Sequence, residues 1–135
     1  MKELRADLHI HTCLSPCADR EMSPPAVVRR GRERGLDLIA VCDHNSAENV
    51  EAVITAAQNI GLAVIGGMEI SSREEVHVLG IFKDDDALRS AQEIVYENLD
   101  GWNNAETFGE QLVMNERAEV LRSNVRLLIG ATGLS

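Results

Sequence analysis

The run Leu36-Asp37-Leu38-Ile39-Ala40-Val41-Cys42 is almost continuously apolar and ends abruptly at Asp43-His44-Asn45. Such a strand is buried on both faces, a situation typical of a parallel sheet covered by helices. The flanking sequence keeps to that scheme. Leu4 to Ile10 reads as a preceding strand, broken by Asp7 and His9 and giving way to a loop at His11. Leu62 to Ile65 and Val76 to Phe82 read as a third and a fourth strand. Ser23-Pro24-Pro25 marks a helix start, a capping serine followed by proline at the first helical position. That helix runs to about Arg34, with Gly35 as its stop. Asn45 or Ser46 is placed to cap a second helix reaching about Asn59, and a third runs from about Asp85 to Leu99 with Asp84, Asp85 and Asp86 at its positive end. Strand and helix in this rhythm predict an α/β fold of parallel βα units with right-handed crossovers.

Beyond Asp100 the pattern weakens. Gly101 to Glu110 reads as loop, Gln111 to Asn115 and Glu119 to Arg122 as a hairpin, and Leu127 to Ile129 as a further strand. The 135 residues suit a single domain. The final segment from Arg126 reads as a strand leading to a helix start at Ser135, so the expectation is the first part of a longer chain.

The four histidines, His9, His11, His44 and His77, cluster near the predicted strands, and Glu69 ends the third. Alternation along a strand puts Asp7, His9 and His11 on one face. Ligands of βα sheets bind beyond the carboxyl ends of the strands, and imidazole suits zinc, iron and manganese. The arrangement therefore predicts a divalent-metal centre. A formal charge of -9, from 13 basic and 22 acidic residues, disfavours a nucleic-acid partner, whose phosphates call for clustered Lys and Arg. Phe82, Tyr96, Trp102 and Phe108 form no stacking stripe for single strands. A small anion held through a metal stays open. Three cysteines (Cys13, Cys17, Cys42) are an odd number and indicate a reducing, cytoplasmic setting. No apolar run reaches membrane-spanning length, and the first residues lead into a strand rather than a signal peptide.

Taken as a set, Asp7-Leu8-His9-Ile10-His11-Thr12, Val41-Cys42-Asp43-His44-Asn45, Gly67-Met68-Glu69 and His77-Val78-Leu79-Gly80 resemble the successive motifs of the polymerase and histidinol phosphatase (PHP) family. The resemblance covers residues 4 to about 83 and is loose from 84 to 135. It implies the first part of an incomplete (βα)7 TIM-like barrel, two or three divalent ions (zinc, manganese or iron) and hydrolysis of small phosphoesters. His9 and His11 would bind one ion with Glu69, Glu69 would bridge to a second ion also held by His77, and His44 would hold a third. No side-chain nucleophile is then required, because paired ions generate hydroxide and stabilise an in-line displacement at phosphorus. Asp7 would orient an imidazole, and Asp43 would cap the strand end or orient a ligand rather than bind.

The chain departs from the family pattern twice. The loop after His11 carries Ser15-Pro16-Cys17-Ala18-Asp19, where Asp19, or Cys17 as a thiolate, would supply the usual loop ligand. No histidine follows His77, so each inferred metal site is short of at least one ligand. That leaves a second reading, a catalytically inactive metal-binding or regulatory module whose unpaired sheet edges invite dimerisation. A third is a metal-dependent amidohydrolase, in which Lys83 would serve as a bridging carbamylated lysine. Arg5, Arg20 and Arg73 could reach a substrate phosphate, although solvated surface arginines are the commoner case.

Overall fold

The computed structural model describes residues 3–135. Three strands, β1 (Ala6–Ile10), β2 (Leu38–Val41) and β3 (Ala63–Ser71), lie side by side in parallel. A fourth, β4 (His77–Ile81), pairs with β3, giving the order β1-β2-β3-β4. The helices α1 (Pro24–Glu33), α2 (Val50–Ala57) and α3 (Asp85–Glu97) supply Val27, Val28, Val50, Val53, Leu88 and Val95 to one core with Ile39, Val41 and Met68 of the sheet. The expectation of a mixed α/β fold with a parallel sheet holds.

The fourth strand departs from it. β4 runs antiparallel to β3, with Gly67 opposite Ile81 and Ser71 opposite His77. A parallel connection needs a crossover of a dozen or more residues. Because β3 continues through Glu69 to Ser71, only Ser72 to Val76 remain for the link. These residues make a tight turn, Ser72 accepting from the Glu75 N–H at 2.9 Å, with Glu75 in the left-handed region. The reversal brings His77 to the same end of the sheet as Glu69. It also sends Lys83, just beyond β4, to the opposite end, where the Phe82 N–H donates to Gly66 O. Lys83 is thus removed from the role the amidohydrolase reading gave it.

Of the three helices, only α3 has a side-chain N-cap. Ser23 takes the cap position of α1 through its backbone, without a side-chain cap bond, and Gly35, with φ +70°, ends the last turn. Asp84 caps α3 by accepting from the Ala87 N–H. Neither Asn45 nor Ser46 caps α2; the cap position falls to Asn49. Asn45 is used elsewhere, its amide donating to the carbonyls of Leu128 and Gly130 at 2.8 Å while its oxygen accepts from the Ser71 N–H. Ser46 Oγ meets Tyr96 Oη at 2.6 Å.

The later residues form a short helix α4 (Ala105–Phe108) inside the expected loop, started by Asn104, and the expected hairpin, β5 (Leu112–Met114) with β6 (Val120–Ser123). Leu127 to Ile129 is not a strand. Only isolated bridges, Trp102 with Arg126 and Leu99 with Thr132, form around it. The hairpin packs on the loop after β1: the Leu112 N–H donates to Cys13 O at 2.9 Å, and buried Asn49 holds Leu112 O and the Met114 N–H.

Candidate metal centre

Glu69 lies near the end of β3, paired with Leu79 across the β3–β4 ladder. His77, two residues from Leu79, shares its face and reaches Glu69 diagonally. His77 Nδ1 lies 2.7 Å from Glu69 Oε1. The other carboxylate oxygen faces the first strand: His9 Nε2 is 2.8 Å and His11 Nε2 3.0 Å from Oε2. His44, carried by the extension of β2 and bridged to Glu69, completes the ring with Nδ1 3.7 Å from Oε2. The rings follow one another around the carboxylate, with centroids 5.0 Å apart for His9 and His11, 4.7 Å for His11 and His44, and 5.3 Å for His44 and His77.

A register irregularity sets up the first strand. Three steps on β1, from Asp7 to Ile10, oppose two on β2, from Ile39 to Val41. An extra residue of this kind re-aims side chains and is common beside functional sites. It separates Asp7 from the histidines with which simple alternation would group it. Asp7 lines a cavity of about 200 Å³ against α1, with Val27, Arg30 and Arg34. Its carboxylate accepts from the His9 backbone N–H at 3.1 Å. It fixes the backbone at His9 rather than touching an imidazole.

Asp43 is fully buried beneath the ring. Oδ1 accepts from the Thr12 N–H and the Ser15 hydroxyl, and Oδ2 from the Thr12 hydroxyl, each at 2.7 Å. Burial pushes this carboxyl up from its ordinary range, against the pull of those hydrogen bonds. Ser15 Oγ also lies 2.9 Å from His11 Nδ1 and 3.0 Å from the His44 backbone nitrogen. A hydroxyl has one proton. With that proton on Asp43, Ser15 accepts from His11 Nδ1–H, which leaves the lone pair of His11 on Nε2, facing Glu69.

The ligand atoms are crowded in a way that protons alone do not satisfy. His9 Nε2 and His11 Nε2 lie 3.1 Å apart beside one carboxylate oxygen. Ligands about 2.1 Å from an ion lie about 3.0 Å apart in octahedral geometry and about 3.4 Å apart in tetrahedral geometry. His44 Nδ1 is buried without a hydrogen-bond partner. Burial, then repulsion from His11, pushes this imidazole down to about 4, so it is neutral near pH 7, the form that binds cations. Burial raises the Glu69 carboxyl, but hydrogen bonds from His9 and His77 outweigh it and the net shift is downward. Three overlapping groups have ligand atoms within 4.8 Å of one another: His9, His11 and Glu69; His44, Glu69 and His77; and His11, Cys17 and His44. An orphaned buried nitrogen and a shared carboxylate fit divalent ions.

Asp19 is not among these ligands. It is exposed, and its carboxylate accepts from the Glu21 N–H at 2.9 Å in a local turn. Cys17 lies in the cluster instead. None of the three arginines faces the ring: Arg5 lies by Asp37 at the other end of β1, Arg20 pairs with Glu110, and Arg73 with Glu74. The residues that sequence reasoning passed over are Thr12, Ser15 and Asn49, whose hydroxyls and amide tie the loop to Asp43 and to the hairpin.

The sequence profile of the PHP domain matches residues 7–130. The chain belongs to the PHP domain family. Among curated PHP relatives, a 5'-3' exoribonuclease of Haemophilus influenzae is 33% identical over 78 residues, covering 56% of this chain and 27% of the relative. A 3',5'-nucleoside bisphosphate phosphatase of Chromobacterium violaceum is 31% identical over 78 residues, covering 56% and 26%. A solved structure from Bifidobacterium adolescentis, described as a metal-dependent phosphoesterase, superposes with a TM-score of 0.57 at 25% identity, covering 72% of this chain and 34% of that one. The matched stretch of this PHP chain thus spans only about a quarter of the two curated relatives.

Proposed function

We propose that this PHP chain hydrolyses phosphate esters with two or three divalent ions. The observation that carries the proposal is the division of Glu69, whose Oε2 faces His9 and His11 while Oε1 faces His77. One carboxylate so placed suits a bridge between two cations. His9 and His11 would hold one ion with Glu69, Glu69 and His77 a second, and His44 a third. With Nδ1 tied to Ser15, His11 has one lone pair to give, and the ion shared with His9 and Glu69 takes it. When bound, such ions lower the pKa of water and neutralise charge developing on a phosphoryl group. The chain's own residues arrange the ligands: Asp43 fixes Ser15, Ser15 fixes the proton on His11, and Asp7 fixes the backbone at His9. Imidazole and carboxylate donors suit zinc, manganese or iron.

The substrate class is a small or short phosphoester, in keeping with the bisphosphate substrate that the Chromobacterium relative's name states. The net charge of -9 argues against long nucleic acid. The barrel reading extends the four observed strands toward a (βα)7 arrangement, supported by the Bifidobacterium likeness. Three free cysteines support a cytoplasmic setting, and no helix among the described residues is long and apolar enough to cross a membrane.

Each group supplies three protein ligands. The test is hydrolysis of p-nitrophenyl phosphate and its diester with added manganese or zinc. Activity lost in His9→Ala and Glu69→Ala supports the enzyme; bound metal without turnover in the unaltered chain supports the module.

A further inference from the structure

We infer that the cavity between the end of α3 and the paired segments around Trp102 and Arg126 binds a nucleoside monophosphate, its base stacked on Trp102 and its phosphate held by Arg126. The cavity measures about 490 Å³ and is lined by Tyr96, Asp100, Trp102, Val125 and Arg126 among others. That volume lies in the range of about 300–1,000 Å³ usual for small-molecule sites. Three other cavities, of about 200 to 240 Å³, fall short of it. The site uses none of the groups that ring Glu69, so it stands apart from the proposed metal centre.

Main-chain bonds hold the site in shape. The Asn103 N–H donates to Val125 O at 2.9 Å and the Leu127 N–H to Gly101 O at 3.2 Å. These bonds flank Trp102 and Arg126, which form an antiparallel bridge. The two are thus a non-hydrogen-bonded pair, the kind whose side chains stand closest, on one face. Gln111 Nε2 donates to Arg126 O at 2.6 Å, and the Arg126 N–H donates to Asn124 Oδ1 at 2.9 Å. The Tyr96 hydroxyl meets Ser46 Oγ at 2.6 Å and accepts from Asn124 Nδ2 at 3.0 Å, which fixes the ring beneath Arg126.

Two side chains in this frame lack a use within the chain. Trp102 is 77% exposed. Arg126 lies with Cζ 4.1 Å from the Tyr96 ring centroid. Unlike Arg117 and Arg122, it pairs with no carboxylate among the described residues. In a chain with 22 acidic residues against 13 basic ones, an unpaired guanidinium at a cavity marks a place for an anion. Stacking on Tyr96 leaves its N–H fork free, and that fork matches phosphate oxygens. An indole face accepts any nucleobase. The Asp100 carboxylate, on the same cavity, is an acceptor suited to ribose hydroxyls.

Trp102 is the chain's single tryptophan, so its fluorescence reports the cavity directly. AMP titrated into the full chain in EDTA, which keeps divalent ions out of the Glu69 ring, should quench that emission to saturation. Adenosine and ribose 5-phosphate should each bind at least about tenfold more weakly, one lacking the charged partner of Arg126 and the other the stacked base. Arg126→Gln should weaken AMP at least about tenfold and leave adenosine unchanged. In calorimetry, Trp102→Phe should keep AMP binding and Trp102→Ala should weaken it about tenfold. The three ligands on the unaltered chain decide the matter even where a variant unfolds. No saturable quenching in EDTA, ribose 5-phosphate bound as tightly as AMP, or AMP binding unchanged in Arg126→Gln overturns the site while leaving the metal centre in place. AMP that binds only with added manganese belongs to the Glu69-centred ions and overturns the site as well.

Discussion

Ser15 has one proton to give, and Asp43 receives it at 2.7 Å. The hydroxyl then sets the tautomer of His11, so a residue that touches no ion decides which imidazole nitrogen can. Ser15→Ala should lower metal affinity about 10–100-fold by freeing His11, read by calorimetric titration with zinc or manganese. It should also cost about 1–3 kcal/mol in urea unfolding, because buried Asp43 loses one of three donors. Unchanged affinity would show that His11 is held by other means. At this scale the histidines and Glu69 were legible in the sequence, because strand ends collect the ligands of βα sheets. Thr12, Ser15 and Asn49 were not. Their roles arise only where the first loop, the β2 extension and the hairpin meet, and hydroxyl or amide residues carry no spacing signal. Asp19 turns to the Glu21 N–H, whereas Cys17 lies beside His11 and His44.

The first four strand positions were legible from apolar runs, but the direction of β4 depends on the length of the link before it, not on periodicity. With β3 ending at Glu69 and the next strand starting at Val76, six residues remain, already too few for a parallel crossover. The strand in fact continues to Ser71, and the five-residue link that remains permits only a hairpin. The antiparallel pairing brings His77 to the carboxylate. It also requires close backbone approach at Gly67, where a Cβ would meet Gly80 O at 2.6 Å and Cys42 Sγ at 2.9 Å. Gly67→Ala should therefore destabilise the chain by about 1–3 kcal/mol, the usual cost of overpacking, seen as a lower urea midpoint. Because Glu69 is only two residues away, metal affinity should fall as well. A neutral effect on both would show that β4 can move aside.

Across the whole molecule, the helices bury one core while β1 and β4 stand at the edges of an open sheet. On β4, Val78, Leu79 and Ile81 are exposed. An exposed apolar edge strand is a pairing template. The chain should therefore associate as its concentration rises, and Ile81→Lys, at the end of β4 away from His77, should shift it toward monomer in sedimentation. Equal behaviour of the two proteins would leave β4 out of any association. The later residues, only loosely patterned in sequence, brace the metal-bearing loop through Leu112 and Asn49, a long-range contact that local periodicity does not encode. All of this turns on Glu69 serving two cations at once. The most direct measurement is an anomalous difference map from crystals grown with manganese. The account predicts one peak within bonding distance of His9, His11 and Glu69 Oε2 and another within bonding distance of Glu69 Oε1 and His77. A map without density among these side chains, from protein shown to bind manganese, would contradict it.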